Sequence, residues 1–235
     1  NKIYHSAPLI FVRRLFKPVV IFGERFVPAR TNVEMRELWE QKAKENVRYY
    51  VNQKTKSGEF VDETEIEQTG KEDFERLVLG DTKLQDLLPA DRKQTVILDL
   101  GAGIGRVTEP FSLVYGRVHG VDISPTMVEI AKQRLKEQSN VEFQTTDGST
   151  LLYPDETFDL VFSYLVFPHI DSVSSIEQYM REIHRTLKKG AVAKIQLRTG
   201  QGVRRWIWSY GVSFTNEEAI ALAENQGFAV IDHQV

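Results

Sequence analysis

Residues 96–106 read Val-Ile-Leu-Asp-Leu-Gly-Ala-Gly-Ile-Gly-Arg, and this stretch decides the fold. An apolar run ends in an acid, and three glycines follow at alternate positions, Gly101, Gly103 and Gly105. The run predicts a buried strand of a parallel sheet, and the glycines predict a tight turn into a helix. Because glycine has no Cβ, such a turn lets a ligand lie against the backbone and the helix N-terminus.

Two phosphate-binding signatures are absent from this turn. A dinucleotide-binding loop would carry its third glycine where Arg106 stands, and a Walker loop would need Gly-Lys-Ser/Thr. The pattern D-x-G-x-G-x-G resembles the first motif of the class I S-adenosylmethionine (SAM)-dependent methyltransferases. This resemblance implies that the turn backs the methionine part of SAM, a ligand without phosphate.

An acid also ends the second predicted strand, residues 117–122. Asp122 stands where an acid can accept hydrogen bonds from both ribose hydroxyls, as in nucleotide-binding proteins of this architecture. Ile123 follows and is assigned to the same site. Ser124 is the predicted N-cap of the next helix, and Pro125 is its predicted first residue.

The third and fourth predicted strands complete the cofactor assignments. The third strand ends in Asp147, which precedes Gly148, and the fourth, residues 158–163, ends in Ser163. The family resemblance implies that Asp147 accepts from the adenine amino group and that the neighbouring backbone meets the ring. Gly148 and Ser163 are therefore also assigned to the cofactor site.

Two charged residues of the first motif have predicted roles at the methionine end of SAM. Asp99 is placed near the methionine ammonium, with N-capping of the following helix as the alternative. Arg106 is predicted to hold the methionine carboxylate through a charge-assisted hydrogen-bonded fork. The wording Gly-Ala-Gly-Ile-Gly-Arg resembles the protein N-terminal methyltransferases, in which the arginine has that role. Their Asp-Asn after the fifth strand is replaced here by residues 197–200, Leu-Arg-Thr-Gly, so their substrate is not carried over.

The resemblance covers residues 92–235. Residues 181–190 are similar to the family segment that precedes the fifth strand, with a helix predicted over 176–187 and that strand over 191–197. The implied fold is α/β, a Rossmann-like, doubly wound and mostly parallel sheet in three α/β/α layers, with an N-terminal helical extension. A sixth strand is predicted over 229–235. The family has a seventh, antiparallel strand, so we expect either an early end of the chain or a departure from the fold there.

The region before this domain divides into two predicted parts. Residues 1–33 hold six Lys and Arg residues against one acid, interleaved with apolar residues. They are interpreted either as an arm for a membrane surface or a partner, or as a strand or loop packed on the domain, which we favour. Residues 34–91 form a predicted helical cap, with helices over 34–54 and 71–88 and a loop over 55–70. The spacing from Trp39 to Tyr50 resembles the leader of type 11 bacterial methyltransferases of unassigned substrate.

Composition excludes several classes of function. The chain has 235 residues, no cysteine and a formal net charge of −3. The lack of cysteine excludes disulfides, cysteine metal sites and a cysteine nucleophile. No metal is expected, and the net negative charge gives no overall attraction to nucleic acid. No apolar segment is long enough for a membrane span, and a cytoplasmic location is predicted.

The sequence specifies the acceptor side of the site less fully than the cofactor side. Tyr164 and His169 follow the fourth strand, where the transferable methyl group faces the acceptor in this family. His169 is either a general base, since its ordinary pKa lies near neutrality, or a structural histidine that caps the next helix. The basic and aromatic residues of 204–210 are interpreted as a wall of the substrate pocket in preference to a single-strand nucleic-acid surface.

The sequence therefore predicts a methyltransferase that moves a methyl group from SAM to an oxygen or nitrogen atom of a small molecule, leaving S-adenosylhomocysteine. Two alternatives stay open: methylation of a protein or peptide, and a non-catalytic module that binds SAM or S-adenosylhomocysteine and docks to a partner or membrane. The acceptor, the methylated atom and the oligomeric state are not encoded in any motif of the chain.

Overall fold

The computed structural model describes residues 9–13, 29–51, 62–199 and 211–234. In chain order, its helices and strands are β1 (Leu9–Arg13), α1 (Asn32–Val51), α2 (Glu63–Phe74), α3 (Thr82–Leu87), β2 (Val96–Leu100), α4 (Thr108–Val114), β3 (Arg117–Asp122), α5 (Pro125–Arg134), β4 (Val141–Thr145), β5 (Phe158–Ser163), α6 (Val173–Thr186), β6 (Leu187–Gln196), α7 (Asn216–Asn225) and β7 (Ala229–Gln234).

These elements divide between two units. The central unit is Arg36–Thr146, and the terminal unit comprises residues 1–35 and 147–235. Helix α1 begins in the terminal unit and continues in the central unit.

The sheet of the central unit is parallel throughout. Strand β3 pairs with β2 on one side and with β4 on the other, and Asp99 is opposite Gly120 in the first of these pairs. Ile97, Leu98 and Val118 are fully buried, which explains the apolar runs read in the sequence. Because parallel strands share a direction, Asp99 and Asp122 both lie toward the carboxyl edge of this sheet.

Helix α5 begins as its sequence predicts. Ser124 is the N-cap, its hydroxyl oxygen accepts from the backbone N–H of Met127 at 3.2 Å, and Pro125 is the first helical residue. Met127, Val128 and Ala131 of the predicted apolar face are buried. The capping prediction is therefore confirmed.

The prediction of a loop over residues 55–70 is wrong from residue 63 onward. Helix α2 starts there because the Asp62 side chain accepts from the backbone N–H of Glu65 at 2.8 Å. A π-helical turn, Glu75–Leu79, continues it. The helix was missed because its buried face includes Thr69 and Gly70 among the apolar residues.

The terminal unit places an N-terminal strand inside its sheet. Strand β6 pairs in parallel with β5, and β1 lies between β6 and β7, parallel to both. Residues 9–13 thus form a strand within the fold, as the packed-segment interpretation predicts. The predicted arm lies otherwise almost wholly outside the described residues, as does the predicted pocket wall at 204–210.

Two predicted strands of this unit are present, but their bounds differ from the predicted ones. Strand β6 begins at Leu187, four residues earlier than predicted, and passes through Gly190 at a φ of +75°. Strand β7 spans Ala229–Gln234, close to the predicted sixth strand. Among the described strand pairs of this unit, every one is parallel.

Within the part of the chain that the structure describes, no helix combines the length and the apolar composition that a membrane crossing requires.

Candidate functional site

The glycine turn after β2 has a backbone that only glycine adopts without strain. Gly101, Gly103 and Gly105 have φ angles of +79°, +56° and +79°. The backbone N–H groups of Gly101 and Ala102 both donate to the carbonyl oxygen of Val121, at 2.8 and 2.9 Å. These bonds tie the turn to the end of β3. The alternate glycines are therefore explained by backbone geometry, and their contact with a cofactor stays a prediction.

Asp122 is held by backbone donors on both carboxylate oxygens. Its Oδ2 accepts from the N–H of Gly103 at 2.9 Å, and its Oδ1 accepts from the N–H of Ser124 at 2.9 Å. Burial raises the pKa of Asp122, and the backbone N–H groups of Ser124, Gly103 and Ile123 oppose that rise. A carboxylate has about four acceptor positions. The three backbone donors do not fill these positions, so the carboxylate can still accept from a ligand hydroxyl.

Asp99 does not cap the following helix, so that alternative is wrong. Helix α4 starts after Val107 without a side-chain cap, and Asp99 Oδ2 instead accepts from the Thr108 hydroxyl at 2.6 Å. Burial raises the pKa of Asp99 to about 6, with the Thr108 hydrogen bond and the charge of Arg106 acting against it. Its role near a methionine ammonium stays a prediction.

The guanidinium of Arg106 is paired with a carboxylate that the sequence did not reveal. Arg106 Nη1 donates to Asp73 Oδ2 of helix α2 at 2.8 Å, and both side chains are buried. Arg76 also donates to Asp73. A Cβ placed on Gly70 of the same helix would lie 2.0 Å from the carbonyl oxygen of Arg106. Helix α2 therefore packs directly on the last residue of the motif, and the predicted fork to a ligand carboxylate stays a prediction.

Helix α1 covers this part of the central unit. Its Trp39, Val47 and Val51 pack against a buried cluster that links the helix to α2, the glycine turn and α5, formed by Ala43, Ile66, Ile104 and Met127. A Cβ on Gly103 would lie 3.3 Å from Val51 Cγ1. This side of α1 therefore meets the glycine turn.

The adenine-side residues lie in the terminal unit. Asp147 is exposed, and its Oδ1 accepts from the backbone N–H groups of Ser149 and Thr150, both at 2.8 Å, and from the Ser149 hydroxyl at 2.9 Å. Burial would raise the pKa of Asp147, but the hydrogen bonds from Thr150 and Ser149 outweigh it and lower the pKa. Gly148 is buried with a φ of +86°. Asp147 and Gly148 form a turn, and adenine recognition by them stays a prediction.

The segment after β5 contains a strained residue that the sequence did not indicate. Ser163 ends the strand and is buried, and Tyr164 is half-buried. Leu165 follows with a φ of +62°, an unfavourable conformation for a residue with a Cβ. The backbone N–H of Leu165 donates to the buried Gln196 Oε1 of β6 at 2.8 Å. Gln196 therefore holds the turn in which the predicted acceptor-side residues lie.

His169 lies in the short 3₁₀ turn Phe167–His169 and is buried. It does not cap the next helix, because the N-cap of α6 is Ser172, whose hydroxyl accepts from the N–H of Ser175 at 3.3 Å. The predicted capping by His169 is therefore wrong, whereas its role as a base or as a structural residue stays a prediction. Nearby, the completely buried Asp171 accepts from Arg30 through its backbone N–H and Nη1, each at 3.0 Å.

Residues 98–195 match the model of a family described as a methyltransferase domain. These residues are therefore similar to a methyltransferase domain. The matched region includes the glycine turn, Asp122, Asp147 and the turn after β5.

Curated relatives are similar to part of the chain. Demethylmenaquinone methyltransferase of Tropheryma whipplei (strain Twist) is 37% identical over 94 residues, covering 40% of this chain and 38% of that protein. Malonyl-[acyl-carrier protein] O-methyltransferase of Halorhodospira halophila is 32% identical over 117 residues, covering 48% and 39%. The chain thus spans about two fifths of the length of these relatives.

The fold of this chain is also similar to that of a solved structure. Phosphoethanolamine N-methyltransferase 2 of Haemonchus contortus, in complex with SAM, matches 82% of this chain and 44% of its own with a TM-score of 0.56 and 20% identity. The predicted α/β Rossmann-like fold class is therefore confirmed.

Proposed function

We propose that this protein transfers the methyl group of SAM to an oxygen or nitrogen atom of a small-molecule acceptor. The observation that carries the proposal is the Asp122 carboxylate, held at the end of β3 by the N–H of Gly103 in the glycine turn and by the N–H of Ser124 at the start of α5. This arrangement combines a turn that a ligand can approach closely with an acceptor group for ribose hydroxyls.

The chemistry of these residues fits SAM. Ribose hydroxyls donate well to a carboxylate, and Asp122 keeps acceptor capacity beyond its backbone bonds. Asp99, Arg106 and Asp147 offer the charges predicted for the ammonium, the carboxylate and the adenine amino group. No phosphate-binding signature stands in the turn, which disfavours a nicotinamide dinucleotide.

When bound, SAM supplies a methyl group on a sulfonium: the acceptor's lone pair forms the new bond to carbon, and the electrons of the breaking C–S bond return to sulfur. The chain's own residues need chiefly to hold and orient the reactants, which supplies roughly 7–11 kcal/mol of barrier reduction in well-aligned reactions. A base is required only where the acceptor must lose a proton to react. His169 is our candidate for the base that accepts this proton, and Tyr164 is our candidate for a residue that contacts the substrate.

A small-molecule acceptor is supported by the names of the relatives. These include enzymes that act on demethylmenaquinone and on malonyl-acyl-carrier protein, and the likeness in fold extends to a phosphoethanolamine N-methyltransferase. Their acceptors differ in chemistry, so the similarity supports the reaction class without selecting one acceptor.

The cytoplasmic location and the peripheral role of residues 1–33 stay predictions.

The first test is titration calorimetry of the full chain with SAM, with NADH as the control ligand. We expect binding of SAM and none of NADH. Asp122→Asn should weaken SAM binding by at least about 100-fold, since hydrogen bonds to a charged group contribute roughly 1.5–3 kcal/mol each. Glu129→Gln, an exposed change on α5, is the matched control and should bind as the wild type does. Absence of SAM binding by the wild type would refute the proposal.

The second test separates the reaction classes. The protein is incubated with methyl-labelled SAM and panels of phenols, quinols, amines, carboxylic acids and peptides, and labelled products are analysed by mass spectrometry. Labelled small molecules would support the proposal and identify the methylated atom. Labelled peptides alone would favour the protein methyltransferase, and binding without transfer to any panel would favour the non-catalytic module.

A further inference from the structure

Glu40 of helix α1 is bound to the start of helix α5 through both of its carboxylate oxygens. Its Oε2 accepts from the Ser124 hydroxyl at 2.6 Å and from the backbone N–H of Thr126 at 3.1 Å. Its Oε1 accepts from the Thr126 hydroxyl at 2.5 Å and lies 3.2 Å from Lys44 Nζ. Three hydrogen bonds therefore join two helices that are 84 or more residues apart in sequence.

Ser124 connects this contact to Asp122. The hydroxyl of Ser124 donates to Glu40, while the backbone N–H of the same residue donates to Asp122 Oδ1 at 2.9 Å. Ser124 is completely buried and is also the N-cap of α5. Any displacement of Ser124 therefore moves a donor of the carboxylate assigned to the ribose.

The charge of Glu40 persists over the working range of pH. Burial alone would raise the pKa of Glu40, but the hydrogen bonds from Ser124 and Thr126 outweigh it and lower the pKa to about 2. An ionised carboxylate at the first turn of α5 also interacts favourably with the positive end of the helix dipole.

The same helix lies over the glycine turn. Val51 of α1 approaches Gly103, whose N–H is a further backbone donor to Asp122. Helix α1 thus reaches two donors of this carboxylate, through Glu40 at Ser124 and through Val51 at Gly103.

We infer that Glu40 is a positioning residue for the ribose of the cofactor, because through Ser124 it fixes the Asp122 carboxylate in the orientation that two ribose hydroxyls require. The inference rests on the proposed function. Glu40 touches no reacting atom; it acts through Ser124.

The experiment compares Glu40→Gln with Glu37→Gln, an exposed change on the same helix. Binding of S-adenosylhomocysteine to the full chain is measured by calorimetry. We expect Glu40→Gln to raise the Kd roughly tenfold, within the usual range for coupled neighbours. Glu37→Gln should leave the Kd unchanged. An unchanged Kd in Glu40→Gln, while the wild type binds, would overturn this inference and leave the proposed function intact.

A second readout separates positioning from mere helix packing. Adenosine and 2′,3′-dideoxyadenosine are titrated in competition with S-adenosylhomocysteine. If Glu40 acts through Asp122, Glu40→Gln should weaken adenosine and leave dideoxyadenosine unaffected, since the latter has no hydroxyls for the carboxylate. Equal weakening of both ligands would overturn the inference. If Glu40→Gln does not fold, Thr126→Val removes one donor to Glu40 and should give the same pattern with a smaller effect.

Failure of the proposed function is recognised separately. A wild-type chain that binds no S-adenosylhomocysteine would refute the proposed function and this inference together, whereas the variant results bear on Glu40 alone.

Discussion

The ends of β3 and β5 carry polar groups in two contrasting settings. At the end of β3, Asp122 is held by the N–H two residues ahead and by that of Gly103, 19 residues back, in the glycine turn of the neighbouring strand. At the end of β5, the chain turns at Leu165 with an unfavourable φ, and a side chain 31 residues away accepts its N–H. The first setting is built from motifs with local conformational preferences. The second depends on tertiary structure to hold a conformation that its own residues disfavour.

The difference matches what each region is proposed to bind. The ligand proposed for the β3 end is a single molecule, SAM, which one arrangement of glycines and acids suits. Acceptors differ between relatives, and a turn held by a remote side chain can change without disturbing the strand that precedes it. We therefore expect the β3 end to tolerate little change, and the β5 end to carry strain that substitution can release.

The strictest test is Gly70→Ala, at the contact of α2 with the glycine turn, which supplies a donor to Asp122 at the β3 end. The new Cβ would lie 2.0 Å from the Arg106 carbonyl oxygen, and a backbone atom cannot give way as a flexible side chain can. We expect a loss of about 3–4 kcal/mol in the free energy of unfolding, measured by urea denaturation. Gly190→Ala in β6 is the control, because nothing lies within 4 Å of its Cβ, and its positive φ should cost only about 1 kcal/mol. Equal losses would mean that α2 is free to shift and that the β3 end is not rigid.

Asp99 provides a test that depends on pH. Its pKa is raised from 3.8 to about 6, so between these values the folded state binds more protons than the unfolded state. The contribution of Asp99 to stability therefore falls as pH rises through this window. Relative to the wild type, Asp99→Asn should gain about 2–3 kcal/mol in unfolding free energy between pH 4 and pH 7.

The measurement is urea unfolding of wild type and variant at several pH values, in the absence of ligand. Asp86→Asn, on the exposed side of α3, controls for the removal of a carboxylate. A constant difference between Asp99→Asn and the wild type across the window would show that the buried site does not disfavour the charge.

The smallest effect is expected at the β5 end. At ordinary helical or extended positions, alanine is more stable than glycine by roughly 0.5–1 kcal/mol, but a φ of +62° should reverse that order at residue 165. We expect Leu165→Gly to be more stable than Leu165→Ala by about 1 kcal/mol in thermal unfolding. The exposed Leu152, where φ is negative, provides the control pair and should show the ordinary order. If the alanine variant were more stable than the glycine variant at residue 165, the backbone strain inferred there would be contradicted.

Much of the fold could be predicted because local and tertiary preferences agree. The apolar runs of β2, β3 and β5 are buried on both faces, and Ser124 with Pro125 starts a helix by local chemistry. Helix α2 was missed from residue 63 because part of its buried face is Thr69 and Gly70, which carry no apolar periodicity. The placement of β1 between β6 and β7 was not predictable either, because strand order depends on pairing between segments remote in sequence.

The candidate site divides in the same way. The sequence by itself predicted Gly101, Gly103, Gly105 and Asp122, because a tight turn favours glycine and an acid after a buried strand has few structural uses. Only the tertiary structure decided that Asp73 pairs with Arg106, that Gln196 holds Leu165 and that Glu40 reaches Ser124. These partners are ordinary polar residues on helices and strands. Their roles follow from the packing of elements 31 to 84 residues apart, which no local pattern records.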